Sequence, residues 1–482
     1  MSGQPSETGK WYAGITRYQW LVLIIASLGW VFDIFEGQIF VASMNEAMPS
    51  LVPEGTDAGT VSYYKNIALA AFLLGGAIGG VVFGMLSDRI GRKKTMSLTI
   101  IMYSLFTCVS AFSTEWWHMA VFRFLVAMGV GGEWAVASTM IAEEFPKKAR
   151  ARVSGIFHAS SVLGTYLAIL TATVFIGNEQ VHAWAKEIGY PSAPWRIGFG
   201  MGVLPAFLII WIRRSLKEPE SWIKAKARAQ ETPAAEMGRV ADLFRGELRK
   251  PTIVGVTLAA VGLVTFWGVH IYGKDLLRRD IQEQYLRESS QNADALSKEE
   301  KAEILKPHLP VIKRWEMLGM FLVTTGGGIG LLCFGPLCER IGRRAAFLFF
   351  HLGGFAIALV CFQLLEGVGV LIAVLPIFGF LTLGMHAGYA IYFPELYPTR
   401  LRGTGAGFCF NFGRILVVPL LVISGKMQSR PVANPNWWES WTNRIALQLP
   451  LEDTVSILSG LFLVGVVVLI FAPETKGKEL PE

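Results

Sequence analysis

Gly84-Met-Leu-Ser-Asp88-Arg89-Ile-Gly91-Arg92-Lys93 returns in the second half of the chain as Gly335-Pro-Leu-Cys-Glu339-Arg340-Ile-Gly342-Arg343-Arg344. Each copy is a short basic loop between two long apolar runs. A phrase repeated at about half the chain length, on matched hydrophobic segments, implies one membrane-embedded unit present twice.

The surrounding sequence supports that reading. A helix that crosses a bilayer needs roughly 20 mostly apolar residues, and about twelve runs qualify. The first six lie near 18–41, 66–86, 95–112, 117–142, 153–175 and 195–212. The second six lie near 252–272, 315–337, 345–365, 368–393, 404–424 and 455–472. The expected fold is an all-α membrane protein, with twelve transmembrane helices in two pseudo-symmetric six-helix bundles around a central cavity. Residues 1–213 form the first half, 214–250 a charged, Ala-rich linker, and 251–482 the second half. Within the second half, 274–314 carries both charge signs and has helical composition. It reads as a solvated helical cap on the outer side, with a substrate lid as the alternative.

Composition agrees. The chain is 52% hydrophobic and 17% charged, against about 25% charged in a soluble domain. That is too little charge to cover a surface exposed to water, so lipid must cover part of it. The net charge of +7 sits in loops, and no Lys/Arg-rich tract stands in a soluble context, which argues against nucleic acid as a partner. Cys108, Cys333, Cys338, Cys361 and Cys409 fall in or beside apolar runs. None has metal-ligand spacing, so they read as small buried hydrophobes. No cofactor is implied. Absence of His-Glu-x-x-His and Gly-x-Ser-x-Gly argues against an intramembrane enzyme. The first apolar run ends without a small-residue cleavage site and reads as a retained helix.

Lys and Arg set the sidedness. The loops holding Arg89/Arg92/Lys93/Lys94, Lys147/Lys148/Arg150/Arg152, Arg340/Arg343/Arg344 and Arg400/Arg402 alternate with loops poor in both residues. The positive-inside rule puts the basic loops and both termini in the cytoplasm of a bacterial-type inner membrane.

Charges at membrane depth cost at least a few kcal/mol near a helix centre and so point to function. Asp33 and Glu36, spaced i and i+3 in the first run, share a helix face and form a candidate proton site. Arg123 enters the fourth run to a similar depth. It is a candidate partner for those acids or for a substrate carboxylate. Glu133, ten residues deeper, reads as a second proton site or a tie between helices. Arg414, in Phe410-Asn411-Phe-Gly-Arg414, lies near mid-membrane in the eleventh run. The positions matching Arg123 and Arg414 in the opposite halves fall near Val374 and Ser161 and are uncharged. Two arginines set against buried acids favour an anionic substrate. Trp267 and Tyr389 are candidate substrate contacts and Asn411 accompanies Arg414; His158 and His351 read as core or interface residues.

Further motifs name a family. Glu144-Phe-Pro146-Lys-Lys-Ala-Arg150-Ala-Arg152 has a counterpart in Glu395-Leu-Tyr-Pro398-Thr-Arg400-Leu-Arg402. With the repeated loop, with Arg123-Phe-Leu-Val-Ala-Met-Gly129-Val-Gly131-Gly132-Glu133, and with Glu218-Pro-Glu-Ser221 and Pro473-Glu-Thr-Lys-Gly477, the chain resembles the major facilitator superfamily along nearly its whole length. The resemblance implies alternating access by rocking of two halves, with a cavity lined by the first, fourth, seventh and tenth helices. It also implies that Asp88, Arg89, Arg92, Glu144, Glu339, Arg340, Arg343 and Glu395 form a cytoplasmic latch that holds the outward-open state. In that latch Asp88 and Glu339 would cap neighbouring helix N-termini. Asp33-x-x-Glu36 resembles the Asp-x-x-Asp of proton-coupled carboxylate and aromatic-acid symporters, with Glu as the second acid and Ile34 where Gly is usual. Gly131-Gly-Glu-Trp134 looks like a phrase of the lactate and sialate carriers. The expectation is a monomeric proton symporter for a small organic anion, a monocarboxylate. A sugar or polyol porter is the alternative, and a non-transporting sensor a remote third.

Overall fold

Apolar runs of this length satisfy their backbone polar groups in lipid only as helices. The computed structural model describes residues 10–54, 56, 58–176, 178–231, 236–290, 296–428, 444, 447 and 449–482, and no strand occurs among the described residues. Parts of the expected N-terminal segment (1–9), linker (232–235) and insert (291–295) lie outside the described residues.

Among the described residues, ten segments are long and apolar enough to cross a bilayer. They contain α1 (Arg17–Ala47), α2 (Ala58–Ile90), α4 (Trp116–Glu144), α5 (Lys147–Ile176), α6 (Ala193–Ile212), α7 (Arg249–Gly268), α8 (Leu309–Ile341), α9 (Arg343–Leu359), α10 (Val368–Leu396) and α12 (Leu451–Phe471). Two more long helices, α3 (Arg92–Ser110) and α11 (Arg402–Gln428), complete twelve. α3 opens on three cations, Arg92, Lys93 and Lys94, which lowers its hydropathy. Large apolar side chains such as Leu105, Phe207, Ile377 and Ile470 stand exposed around the bundle, as a lipid-facing surface requires.

The two halves pack by the same device. A Cβ on Gly75 of α2 would collide with the Phe124 carbonyl of α4, and one on Gly326 of α8 with the Pro376 carbonyl of α10. Only glycine lets these backbones touch. The repeated loop is also built alike. Gly91 (φ 110°) and Gly342 (φ 94°) take the left-handed conformation that ends α2 and α8 and starts α3 and α9. The Glu218 carboxylate accepts from the N–H of Arg92 at 2.7 Å, and the Glu474 carboxylate accepts from the N–H groups of Arg343 and Arg344 at 3.0 and 3.1 Å. Each motif that follows a half's last helix therefore caps that half's third helix.

Between the halves, α2 lies along α11 and α5 along α8. Along α2/α11, a Cβ on Gly84 would come 2.7 Å from the Gly403 carbonyl, and one on Gly407 would strike the Gly80 carbonyl. Along α5/α8, a Cβ on Gly335 would come 2.6 Å from the Ala151 carbonyl, and Tyr166 and Thr325 hydroxyls bond at 2.8 Å.

Helix Glu220–Glu231 of the linker anchors through Trp222, whose indole N–H donates to the Asp88 carbonyl at 2.7 Å. On the opposite face, helix Gly273–Ser289 buries Leu276, Leu277 and Ile281 against the second half. Its Lys274 pairs with Glu316 of α8 at 2.9 Å, and its Arg279 with Glu452 of α12 at 3.3 Å.

Candidate functional site

Asp33, Glu36, Glu133 and Arg123 are all buried inside the first half. They form a ladder between α1, α3 and α4. Glu133 is the rung nearest the basic face: its Oε2 accepts from the Thr99 hydroxyl at 2.6 Å, and its Oε1 faces Gly29 of α1. Asp33 follows, within electrostatic reach of Glu133, Glu36 and Arg414. Tyr103 stands among the three acids with its hydroxyl unpartnered. Both carboxylate oxygens of Asp33, both of Glu36 and Oε1 of Glu133 have no hydrogen-bond partner among the described residues.

Arg123 closes the ladder at the far end. Its guanidinium donates to the Glu36 carbonyl at 3.1 Å, the Thr107 hydroxyl at 3.2 Å and the Ser110 hydroxyl at 3.1 Å, and lies 4.9 Å from the Phe199 ring centre. It sits beside Glu36, not Asp33, and is enclosed by protein.

The cation that faces Asp33 comes from the other half. Arg414 of α11 reaches across to α2, where a Cβ on Gly76 would collide with its Nη1, and it lies within electrostatic reach of Asp33. It makes no hydrogen bond or ion pair among the described residues and keeps part of its surface accessible. Its neighbour Asn411 is buried and bridges the halves: its amide donates to the Gly131 carbonyl of α4 at 3.2 Å and the Gly407 carbonyl at 3.1 Å, and its Oδ1 has no partner among the described residues.

One helical turn nearer the basic face, aromatic rings make a floor. Trp134 stacks on Phe410 at 3.9 Å, and Phe410 lies 6.1 Å from Tyr389. The Tyr389 hydroxyl donates to the Leu258 carbonyl of α7 at 3.1 Å, so it fastens α10 to α7 and faces no open space. Trp267, on α7, is only half-buried. His158 joins this layer: the Trp134 indole donates to its Nδ1 and the Trp30 indole to its carbonyl, both at 3.3 Å.

Ion pairs cluster on the basic face. Asp88 accepts from the N–H groups of Gly403 and Thr404 at 3.1 and 2.8 Å and from the Thr404 hydroxyl at 2.6 Å, capping α11 across the seam. Arg92 holds Asp88 at 2.9 Å and grips Glu143 with two bonds, at 3.0 and 2.8 Å. Arg402 of α11 reaches the same Glu143 at 2.7 Å. In the second half, Arg343 grips Glu395 at 3.1 and 2.7 Å. Glu339 does not cap a helix; its Oε2 accepts from the Arg152 side chain at 2.6 Å. Burial alone would push the Glu474 carboxyl up, but the N–H groups of Arg343, Lys476 and Arg344 outweigh it and hold it below its ordinary value.

Three of the expected gate residues stand apart from these pairs. Glu144 is not brought to the arginines; its carbonyl accepts from Gln19 at 2.6 Å. Arg89 turns to the linker, donating to the Met237 carbonyl at 3.2 Å. Arg340 is exposed, and its carbonyl accepts from Lys476 at 2.8 Å.

The residue that sequence reasoning missed is Glu143. Counting back three positions from Pro146 and from Pro398 gives Glu143 and Glu395, the two carboxylates that hold Arg92 and Arg343. The proline register contained the signal, and Arg402 lay in the same motif.

Known proteins share this architecture. The family model described as "Major Facilitator Superfamily" matches residues 20–277. A "Probable 4-methylmuconolactone transporter" of Cupriavidus pinatubonensis is 27% identical, over 84% of this chain and 82% of its own. The "Sialic acid transporter NanX" of Escherichia coli is 27% identical, over 84% and 86%. A solved proton:xylose symporter superposes with a TM-score of 0.72 at 14% identity, covering 96% of this chain and 98% of its own. Duplicated glycine-packed halves, paired ion clusters on one face and a family model that spans more than half of the chain lead to one assignment: this membrane transporter, not an enzyme, belongs to the Major Facilitator Superfamily.

Proposed function

We propose that the protein is a proton-coupled symporter of a small organic anion, a monocarboxylate, working by alternating access between its halves. The observation that carries this reading is the pair Asp33 and Arg414: a buried acid without a hydrogen-bond partner on one half, and an accessible, unbonded guanidinium on the other. Without substrate, the two balance each other's charge. A substrate carboxylate that pairs with Arg414 takes that cation from Asp33, and net charge at membrane depth is costly. Asp33 then takes up a proton, so anion and proton load together and the site stays balanced. Glu36 is balanced by Arg123, and Glu133 is the next proton station toward the basic face. Relatives named for muconolactone and sialic acid support an organic acid.

In this reading the basic face is cytoplasmic, both termini lie on that side of an inner membrane, and the chain works as a monomer divided at 1–213, 214–250 and 251–482. The ion pairs of Asp88, Arg92, Glu143, Arg402, Arg152 and Glu339 then hold the cytoplasmic side closed.

The test is uptake into liposomes by the purified protein, with and without an inward proton gradient, across lactate, pyruvate, aromatic acids, sialate and hexoses. Gradient-driven accumulation of a carboxylate is expected. Uptake of hexose alone, indifferent to the gradient, overturns the proposal.

A further inference from the structure

A groove of about 470 Å³ opens on the lipid-facing side of the second half, between α7 and α12. Its rim on the basic face is Arg249 and Lys250, the first residues of α7; its wall includes Ile253, Thr257, Val468 and Phe471. Both rim cations are exposed, and neither makes an ion pair among the described residues. Glu247, the nearest acid in sequence, does not line the groove. Ile253 and Phe471 are 50% and 55% exposed. From Arg249 to Thr257 the groove runs about 12 Å along the helix, most of the depth of one leaflet in a hydrocarbon core of roughly 30 Å. Two unpaired cations at the headgroup level, continuous with an apolar channel at acyl depth, match one kind of molecule: an amphiphile with an anionic head.

We propose that this groove holds one anionic phospholipid of the leaflet on the basic face. Its phosphate sits between Arg249 and Lys250, and one acyl chain lies along Ile253, Val468 and Phe471. The lipid ties the entry of α7, where the linker delivers the second half, to the end of α12. The proposal rests on the membrane fold and not on the identity of the transported solute.

The test is native mass spectrometry of the full-length protein in detergent, titrated with phosphatidylglycerol, phosphatidylcholine or glycerol phosphate. One phosphatidylglycerol is expected to be retained about 30-fold more tightly than phosphatidylcholine, the preference two basic residues give at a membrane surface. R249Q/K250Q should abolish the preference. T257W, which fills the groove and leaves both cations, should displace phosphatidylglycerol as well. Equal retention of phosphatidylcholine, unchanged phosphatidylglycerol binding in either variant, or glycerol phosphate bound as tightly as the lipid each overturns the proposal. The last outcome would mark a site for a free anion.

Discussion

Arg402 of α11 donates to Glu143 of α4 at 2.7 Å, so a carboxylate of the first half is shared between an arginine of its own half and one of the other. Arg150, which occupies the matching place after α4, makes no such pair: its guanidinium donates to the Phe145 carbonyl at 3.4 Å, and its Nε is unpartnered. The two halves therefore carry similar ion pairs at this place, and among the described residues the first half's pair extends across the seam into a four-membered cluster of Asp88, Arg92, Glu143 and Arg402.

Glu143→Gln should open the basic face. Removing one partner of a buried ionic cluster costs about 3–5 kcal/mol, and here the loss falls on the closed state alone. Spin labels at exposed Lys94 and Arg340 should show a longer distance in most of the population. An unchanged distance distribution would remove Glu143 from the gate.

Asp33→Asn should separate transport from the proton. Asparagine keeps the size of the side chain and loses the titration, so gradient-driven accumulation should vanish while exchange of labelled for unlabelled substrate continues. Accumulation at the wild-type level would take Asp33 out of the coupling step.

Arg414→Gln should raise the KM for a carboxylate substrate by about 10- to 150-fold, the value of a charged hydrogen bond of about 1.5–3 kcal/mol. Arg414→Lys should recover part of the loss, since the charge remains and the fork is gone. A KM indifferent to both variants would favour a neutral solute.

Arg123→Lys should behave differently. Lysine lacks the fork by which Arg123 serves the Glu36 carbonyl from one nitrogen and Thr107 and Ser110 from another, so stability should fall by about 2–3 kcal/mol, read as a lower Tm. The KM of the folded protein should change by less than about twofold. A large rise in KM at unchanged Tm would instead make Arg123 a substrate ligand.

Glu474→Ala should cost about 1–2 kcal/mol at neutral pH through loss of the α9 cap. The folded carboxyl lies below its ordinary value. Its contribution is therefore full above the unfolded pKa of about 4.3 and is lost as pH falls through the lowered folded value. The difference in Tm between variant and wild type should shrink across that acid range.

The fold was legible because its signals are long or repeated: apolar runs, the doubled loop and the Lys/Arg alternation. Asp33, Glu36, Glu133 and Arg414 were legible as candidates because ionised groups are rare at membrane depth. Their pairing was not. One-dimensional depth put Arg123 level with Asp33, but the rotation of α4 about its axis turns Arg123 toward α3 and Glu36. Arg414 lies against Gly76 of α2, where any side chain would displace it, and from there within electrostatic reach of Asp33, a relation between halves that no local pattern carries. Tyr389 looked available until the carbonyl of Leu258 claimed its hydroxyl. Glu144 is one position past the carboxylate that the proline register selects, Glu143.

The α2/α11 seam brings bare backbone against bare backbone at Gly84 and Gly403 and at Gly80 and Gly407. At Gly84 and Gly403 there is no knob to withdraw from a hole, but Asn411 and Arg414 of α11 set their side chains into the notches left by Gly80 and Gly76 of α2. Arg414 is thus at once a side chain lodged in the seam and a cation within electrostatic reach of Asp33, so any parting of α2 from α11 also changes the field at Asp33.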